Sequence, residues 1–335
     1  MIHQRLLKVG VTSGDVNGVG LEIVLRSFSE GLNNKAIVVL YASENALRFY
    51  QRLLNCSFDF HVIENEDAAV QGRLNLMECV SNVTINPGVS TLDGGRYALE
   101  SLSSAVDSLL NKKIDVLVTS PINKHNIQSS KFEFPGHTEY LGRVFGVDNP
   151  LMLMCSSQLR IGVVTGHIPL SKVSSEITSE KIIEKITQMK HSIVKDFGIK
   201  NPKIAVLGLN PHAGDQGLLG KEDSDILEPA ILYVNRNKEI AFGPFPADGF
   251  FGSKKYLDYD GVLAMYHDQG LVPFKALAFE SGVNFTAGLS VVRASPAHGV
   301  AYDIAGKGHA SLVSFIAAIE MACKVYLQRN SLAVN

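Results

Sequence analysis

Short apolar runs alternate along the chain with longer segments whose apolar residues recur at helical spacing. This alternation is typical of an α/β fold with a mostly parallel sheet, because helices carry the chain back between parallel strands. The pattern predicts strands at Leu7–Val11, Ala36–Tyr41, Asp115–Thr119, Arg160–Thr165, Lys203–Leu209 and Gly261–Tyr266. It predicts helices at Gly18–Phe28, Glu44–Leu54, Gly94–Asn111, Thr178–Phe197, Ser224–Arg236 and Gly308–Gln328. No internal repeat or linker divides the sequence, so the pattern alone locates no domain boundary.

Three histidines follow predicted strands at the point where each strand ends. His167, His212 and His267 are separated by intervals of 45 and 55 residues, which suit successive strand–helix–strand units. Because parallel strands bind ligands beyond their carboxyl ends, we expect these imidazoles at one edge of the sheet. Three neutral imidazoles would hold a divalent metal ion with positions open to water or substrate. The alternative is that each histidine is a hydrogen-bonded loop residue.

Two carboxylates lie near these strand ends in the sequence. Asp268 directly follows His267, and Asp248 lies in the segment "PFPADGFF". A carboxylate that accepts a hydrogen bond from one ring nitrogen orients an imidazole toward a metal. Alternatively, and equally, both aspartates could be residues of turns or helix caps.

Candidate anion-binding residues lie elsewhere in the chain. His137 and Thr138 in "FPGHTEYL" begin a predicted helix, where free backbone N–H groups favour an anion, although Thr138 could simply cap that helix. Lys275 and Arg293 are cations in largely apolar runs, so each needs either a charged partner or a route to the surface. The glycines of "GDVNGVGLEIV" and "GLLGKED" match neither the dinucleotide nor the phosphate-loop spacing, and favour turns.

Composition and charge narrow the class of protein. The 335 residues suffice for two domains, and 46% hydrophobic with 19% charged residues is typical of a globular protein. The formal net charge of −2 offers no general attraction for nucleic acid or anionic membranes. Four scattered cysteines and no apolar run of membrane-spanning length predict a cytoplasmic protein without a disulfide framework.

An ordered set of motifs over nearly the whole chain resembles the PdxA family of 4-hydroxythreonine-4-phosphate dehydrogenases. The motifs are "GDVNGVGLEI", "TSPINK", "FPGHTEYL", "GVVTGHIPL", "LGLNPHAGDQGLLGKED", "GPFPADGFF", "MYHDQGLVPFK" and "SPAHGVAYDIAGKG". The last also resembles the cofactor loop of isocitrate and isopropylmalate dehydrogenases, which explains how a dinucleotide enzyme can lack the Rossmann glycine pattern.

The resemblance implies two α/β/α domains of isocitrate/isopropylmalate dehydrogenase-like type with a cleft between them. The first would comprise residues 1–125 and 285–335 with the cofactor loop, and the second residues 126–284 with most metal and substrate residues and the dimer contacts. The family forms homodimers, and its active site lies in the interdomain cleft near the subunit interface. Ligands from two subunits complete each metal site, so the three histidines would converge across the interface.

Site residues follow from the same resemblance, position by position. The metal ligands fall on His167, His212 and His267. The substrate-binding positions fall on His137, Thr138, Lys275, Asn284 and Arg293. The cofactor-binding candidates are His298, Gly299 and Asp303, and Lys124 and Asp248 are candidates for the general base by their chemistry. Asn123 stands where many members carry histidine, and the N-terminal motif lacks two prolines usual in the family.

The implied reaction is an NAD-dependent oxidation, with NADP as the alternative cofactor, assisted by one Zn, Mg, Co or Mn ion per active site. The substrate is a small phosphorylated hydroxy-amino acid, and the pathway is pyridoxal 5'-phosphate biosynthesis. Alternatives are a paralogous dehydrogenase acting on 4-phosphothreonate, a metal-dependent hydrolase and a non-catalytic binding protein. The motif "SPAHGVAYDIAGKG", which has no obvious hydrolytic role, counts against the hydrolase. The complete set of candidate ligands counts against the non-catalytic binding protein.

Overall fold

The computed structural model describes residues 6–32, 36–56, 59–80 and 82–332. The chain divides into two compact units, the first formed by residues 1–141 and 290–327 and the second by residues 142–289 and 328–335. The boundaries 125/126 and 284/285 stay a prediction. No helix of the described residues is long and apolar enough to span a membrane.

Strands and helices alternate along most of the chain. The strands are β1 Lys8–Thr12, β2 Ile37–Ala42, β3 Phe60–Ile63, β4 Leu74–Glu78, β5 Val116–Val118, β6 Leu151–Cys155, β7 Arg160–Thr165, β8 Ile204–Leu207, β9 Ala241–Phe245, β10 Gly261–Tyr266, β11 Val283–Ala287 and β12 Arg293–Pro296. The α-helices are α1 Gly20–Ser29, α2 Glu44–Leu53, α3 Leu92–Leu110, α4 His137–Val144, α5 Val173–Glu176, α6 Ser179–Phe197, α7 Glu228–Val234, α8 Ala247–Gly252, α9 His267–Ala278 and α10 Val313–Leu332.

The first unit contains a parallel arrangement of strands in the order β3-β4-β2-β1-β5-β12. Its central strands are fully buried, and α3 packs against β1, β2 and β5. Thr91 caps α3 by accepting a hydrogen bond from the backbone N–H of Gly94, and Ser43 caps α2 through Ala46 in the same way. These caps satisfy N–H groups that a helix leaves free at its first turn.

The second unit contains strands in the order β11-β6-β7-β10-β8-β9. Strands β7, β10, β8 and β9 run parallel, whereas β6 is antiparallel to both of its neighbours. Helix α6 packs on β7 and β10, and it ends at Gly198, whose φ of 74° suits a residue without a side chain. The predicted mostly parallel α/β fold is therefore confirmed.

Two predicted helices depart from the observed bounds by more than two residues. The predicted helix Ser224–Arg236 is a π-helical turn at Asp223–Leu227 followed by α7, since Pro229 has no N–H to bond the carbonyl four residues before it. The predicted helix from Gly308 begins only at Val313. Gly308 has a φ of 71°, which is incompatible with a right-handed helix.

Candidate active site

The three candidate metal-binding histidines follow neighbouring strands of the second unit. Strand β10 pairs in parallel with β7 on one side and with β8 on the other. His167 lies two residues after β7, His267 directly follows β10, and His212 lies on the turn that follows β8. The carboxyl ends of these three adjacent strands therefore support all three histidine-bearing segments.

Two of the histidines contact each other. The ring centroids of His167 and His267 are 5.3 Å apart, with the ring planes inclined by 44°. The Nδ1 atom of His267 is 2.7 Å from Oδ1 of Asp268. When Nδ1 donates this hydrogen bond, the other ring nitrogen keeps its lone pair for a metal ion or a proton. Asp268 therefore takes the orienting geometry that the sequence suggested.

His212 lies in a left-handed turn. His212, Ala213, Gly214, Asp215 and Gln216 all have φ between 44° and 81°. Four of these five residues carry a Cβ atom, so the turn is strained and needs external support. Asp223, which is 1% exposed, supplies it. Its carboxylate accepts hydrogen bonds from the backbone N–H groups of Leu209 and Asn210, at 2.8 and 3.1 Å, just ahead of the turn.

Gln269 connects two of the strand ends. Its Oε1 atom accepts a hydrogen bond of 2.7 Å from the backbone N–H of Met265, and its Nε2 atom donates one of 2.6 Å to the carbonyl of Gly208. The side chain thus fixes the end of β10 relative to the segment that leads to His212. Sequence reasoning assigned no role to Gln269 and did not single out Asp223. Nothing in the polar run "GKEDSD" distinguishes Asp223 from its polar neighbours in the sequence.

The described part of the chain does not form a three-ligand site by itself. Among residues 6–32, 36–56, 59–80 and 82–332, no three His, Cys, Asp or Glu side chains are grouped closely enough to hold a metal ion. His167 and His267 come together, whereas His212 does not join them. Asp248 lies exposed in the first turn of α8. The ring pair of His167 and His267 would supply two ligands of a metal site, and a third ligand would have to join them.

A buried cation marks the candidate anion site of the first unit. Arg293 in β12 is 1% exposed, and its Nε and Nη2 atoms donate hydrogen bonds of 3.1 and 2.5 Å to Oγ1 of Thr119. Burial lowers the pKa of Arg293 to about 9, while the charge of Glu139 acts in the opposite direction. Thr119 is neutral, so these hydrogen bonds do not neutralise the guanidinium charge.

His137 begins α4, as the sequence predicted for a helix at this position. Its Nε2 atom is shielded from solvent and has no hydrogen-bond partner among the described residues. Burial lowers the pKa of His137 well below its usual value, with smaller contributions from the charges of Arg293 and Lys124. The imidazole is therefore neutral at pH 7, and its unpaired nitrogen suits a polar ligand group. Thr138 is half-buried in the first turn of the same helix, whereas Lys124 is exposed.

The other two substrate candidates lie in the second unit and differ in environment. Lys275 is exposed on α9, so its position in an apolar sequence run reflects a helix with one solvent-facing side. Asn284 lies in β11, and its Oδ1 atom is buried without a hydrogen-bond partner in the described part of the chain. An unpaired buried amide oxygen is costly unless a ligand or water satisfies it.

The candidate cofactor loop, residues 298–310, packs on the N-terminal glycine-rich turn. The backbone N–H of Val19 donates to the carbonyl of Val300 at 3.0 Å, and a Cβ atom on Gly18 would lie 2.3 Å from Val300. The hydroxyl of Tyr302 donates to Asp15 at 2.6 Å. The glycines of this turn therefore allow close packing of two chain segments, in agreement with the prediction of turns.

Two of the three candidate cofactor residues are accessible to solvent, whereas His298 is partly buried. Gly299 and Asp303 are exposed, and a Cβ atom on Gly299 would meet no other atom within 4 Å. The Nδ1 atom of His298 is 3.0 Å from the carbonyl of Gly299, while its Nε2 atom is buried without a partner among the described residues. Burial lowers the pKa of His298, so this ring is also neutral at pH 7.

Asn123, which stands where many family members carry histidine, forms hydrogen bonds that reach the cofactor loop. Its Nδ2 atom donates to Oγ of Ser90 at 3.0 Å and to the hydroxyl of Tyr302 at 3.2 Å, and its Oδ1 atom accepts from the N–H of His125 at 2.9 Å. The asparagine therefore has a structural role that connects "TSPINK" to the cofactor loop.

Comparison with solved structures places this architecture in the isocitrate dehydrogenase type of fold. Isocitrate dehydrogenase from Methylococcus capsulatus is 11% identical with a TM-score of 0.50, over 98% of this chain and 88% of that one. 4-Hydroxythreonine-4-phosphate dehydrogenase from Klebsiella pneumoniae is 30% identical with a TM-score of 0.81, over 98% and 99% of the two chains. The predicted fold class is confirmed.

The family follows from sequence comparison. Residues 34–322 match the family described as pyridoxal phosphate biosynthetic protein PdxA. A protein of Bacteroides thetaiotaomicron called 4-hydroxythreonine-4-phosphate dehydrogenase is 44% identical over 331 residues, which cover 98% of this chain and 91% of that protein. The chain belongs to the PdxA family, as the sequence motifs predicted.

Proposed function

We propose that this protein oxidises 4-(phosphooxy)-L-threonine with NAD⁺ to 2-amino-3-oxo-4-(phosphooxy)butanoate. That product loses CO₂ to give 3-amino-2-oxopropyl phosphate, in the biosynthesis of pyridoxal 5'-phosphate. The paired imidazoles of His167 and His267 at adjacent strand ends, one of them oriented by Asp268, carry the proposal. Relatives that bear the name of this activity, at up to 44% identity among those compared, support it.

A divalent ion would be held by His167, His212 and His267. Their nitrogen donors favour Zn²⁺ or Co²⁺ over Mg²⁺ or Mn²⁺, which prefer oxygen. Such an ion supplies Lewis-acid stabilisation of negative charge on the substrate oxygen. Within the chain, the contribution of Asp268 is to keep the Nε2 lone pair of His267 available. Lys124 and Asp248 are both exposed and remain the two candidates for the general base.

The substrate anion would be held by buried polar groups. Arg293 offers a guanidinium charge, and neutral His137 offers a nitrogen that forms no hydrogen bond with the described residues. Thr138, next to His137, would contribute its hydroxyl and the N–H of the first helical turn. In the second unit, the Oδ1 atom of Asn284, which has no partner among the described residues, would accept a hydrogen bond from the substrate. The ammonium group of the exposed Lys275 would bind the substrate phosphate.

NAD⁺ would bind to the loop that contains His298, Gly299 and Asp303. Gly299 leaves open space above the backbone, which allows a ligand to approach closely. The exposed carboxylate of Asp303 suits the hydroxyl groups of a ribose and would repel the additional phosphate of NADP⁺. We therefore propose NAD⁺ as the preferred cofactor.

A homodimer would supply the ligand that the described residues of one chain do not bring to the histidine pair. Leu170 and Leu218, on the segments that carry His167 and His212, are 72% and 79% exposed. Large apolar side chains so exposed on ligand-bearing segments support coverage by a second copy of the chain. Mixing inactive His212→Ala and His267→Ala chains tests this, because hybrid dimers would regain sites with a complete ligand set.

The test of the function is an NAD⁺-reduction assay with defined metal ions. We expect NADH formation from 4-(phosphooxy)-L-threonine, loss of this activity after chelation, and its partial return with Zn²⁺ or Co²⁺. Parallel assays with 4-phosphothreonate separate the related dehydrogenase activity, since the two substrates differ at carbon 2. Full activity in metal-free protein would contradict the metal role, and turnover of 4-phosphothreonate alone would contradict the proposed substrate.

A further inference from the structure

We infer that Glu22 is a positioning residue that holds the cofactor loop, residues 298–310, in the conformation that binds the dinucleotide. The inference rests on the proposed function, because it takes this loop as the NAD⁺ site. Glu22 lies on α1 in "GDVNGVGLEI", and it is 0% exposed. Burying a carboxylate this deeply costs free energy unless its oxygen atoms accept hydrogen bonds.

The oxygen atoms of Glu22 are satisfied by the cofactor loop. Oε2 accepts a hydrogen bond of 2.8 Å from the backbone N–H of Gly306, and Oε1 accepts one of 3.3 Å from the N–H of Ala310. Arg26, one helical turn later, lies 3.7 Å from Oε1 of Glu22 and donates a 2.7 Å hydrogen bond to the carbonyl of Ala310. Two charged side chains of one helix thus hold both polar groups of the Ala310 backbone.

The loop has little regular structure of its own to keep its shape. Its short 3₁₀ turn is Tyr302–Ile304, and Gly306 and Gly308 have φ of 76° and 71°. Glycines that flank such a turn give the unbound loop many alternative conformations. Val300, bonded to Val19, and Tyr302, bonded to Asp15, fix the first part of the loop, and Glu22 fixes the part from Gly306 onward. Loss of the second attachment should therefore loosen the loop without disrupting α1.

The variant Glu22→Gln isolates this role. The glutamine keeps the size of the side chain but places an NH₂ group against one of the two N–H donors, and it removes the charge that faces Arg26. The matched control is Glu30→Gln, because Glu30 lies 3.6 Å from Arg26 at the end of the same helix and is exposed. The control removes a carboxylate near Arg26 but none of the bonds to the loop.

The experiment measures NAD⁺ binding by calorimetry and amide hydrogen exchange across residues 298–310. For Glu22→Gln we expect the dissociation constant of NAD⁺ to rise about tenfold or more and the loop amides to exchange faster, with kcat at saturating NAD⁺ little changed. Glu30→Gln should match the wild type in all three. If the wild type binds NAD⁺ and Glu22→Gln binds it equally well, the role of Glu22 is overturned. Absence of NAD⁺ binding by the wild type would instead contradict the proposed function.

Discussion

Replacement of Asp223 by asparagine should release the turn that carries His212. The Asp223 carboxylate accepts three hydrogen bonds, from the backbone N–H groups of Leu209 and Asn210 and from Nδ2 of Asn210 at 3.0 Å. Asparagine has the same shape but one acceptor oxygen, so its NH₂ group must face an N–H donor. The change therefore removes acceptors while leaving the volume of the site unaltered.

The size of the effect follows from the strain that these bonds oppose. Left-handed backbone costs roughly 1–2 kcal/mol for each residue with a Cβ atom, so the turn 212–216 stores about 4–8 kcal/mol. Hydrogen bonds to a charged acceptor contribute about 1.5–3 kcal/mol each, and losing two of them removes roughly 3–6 kcal/mol of support. These amounts are comparable, so we expect the turn to open locally while the surrounding sheet stays folded.

Amide hydrogen exchange measures this opening directly. In Asp223→Asn, the amides of Leu209 and Asn210 and those of the turn should exchange about 100-fold faster, which corresponds to about 3 kcal/mol. Asp225→Asn is the control, because Asp225 lies on the same π-helical turn but is exposed, and its carboxylate accepts a hydrogen bond from the hydroxyl of the neighbouring Ser224. Equal protection in Asp223→Asn and wild type would refute the role of Asp223.

Three further results are expected. Because burial lowers the pKa of Arg293 to about 9, its charge is present below that pH and lost above it. The kcat/KM for an anionic substrate should therefore fall as pH rises through 9, and a flat alkaline profile would contradict this. Asp268→Asn, which weakens the orientation of His267, should reduce metal affinity by about 10- to 100-fold in a competition titration, and unchanged affinity would count against it. Asp196→Ala breaks a buried 2.7 Å ion pair with Arg329 and should lower the free energy of unfolding in urea by about 3–5 kcal/mol; a loss below 1 kcal/mol would be too small for this contact.

The sequence predicted the parts of the fold that depend on local pattern. The strand Arg160–Thr165 and the strand Gly261–Tyr266 have their predicted bounds, because each contains an uninterrupted run of at least four residues without a polar side chain. The helix that begins at His267 was not predicted, since Gly270 and Pro273 disfavour a helix locally. Packing of α9 against β7 and β10 overrides that preference.

The supporting residues of the site depend on contacts between distant parts of the chain. Asp223 bonds to residues 13 and 14 positions earlier, and Glu22 bonds to Ala310, which is 288 positions away. No spacing rule connects such pairs, so the sequence could indicate the histidines and the adjacent Asp268 but not the more distant Asp223 and Glu22. For Lys275 the sequence left a charged partner and a route to the surface as alternatives, and in the structure the side chain is exposed on α9.

The central claim is that the strand-end histidines hold a metal ion on which NAD⁺-dependent oxidation depends. The most direct test loads wild-type protein and His267→Ala with one equivalent of Co²⁺ per chain and follows NADH formation from 4-(phosphooxy)-L-threonine. We predict activity in the wild type only, with bound Co²⁺ lost from His267→Ala while its thermal unfolding remains cooperative. Equal NADH formation by the two proteins would contradict the claim.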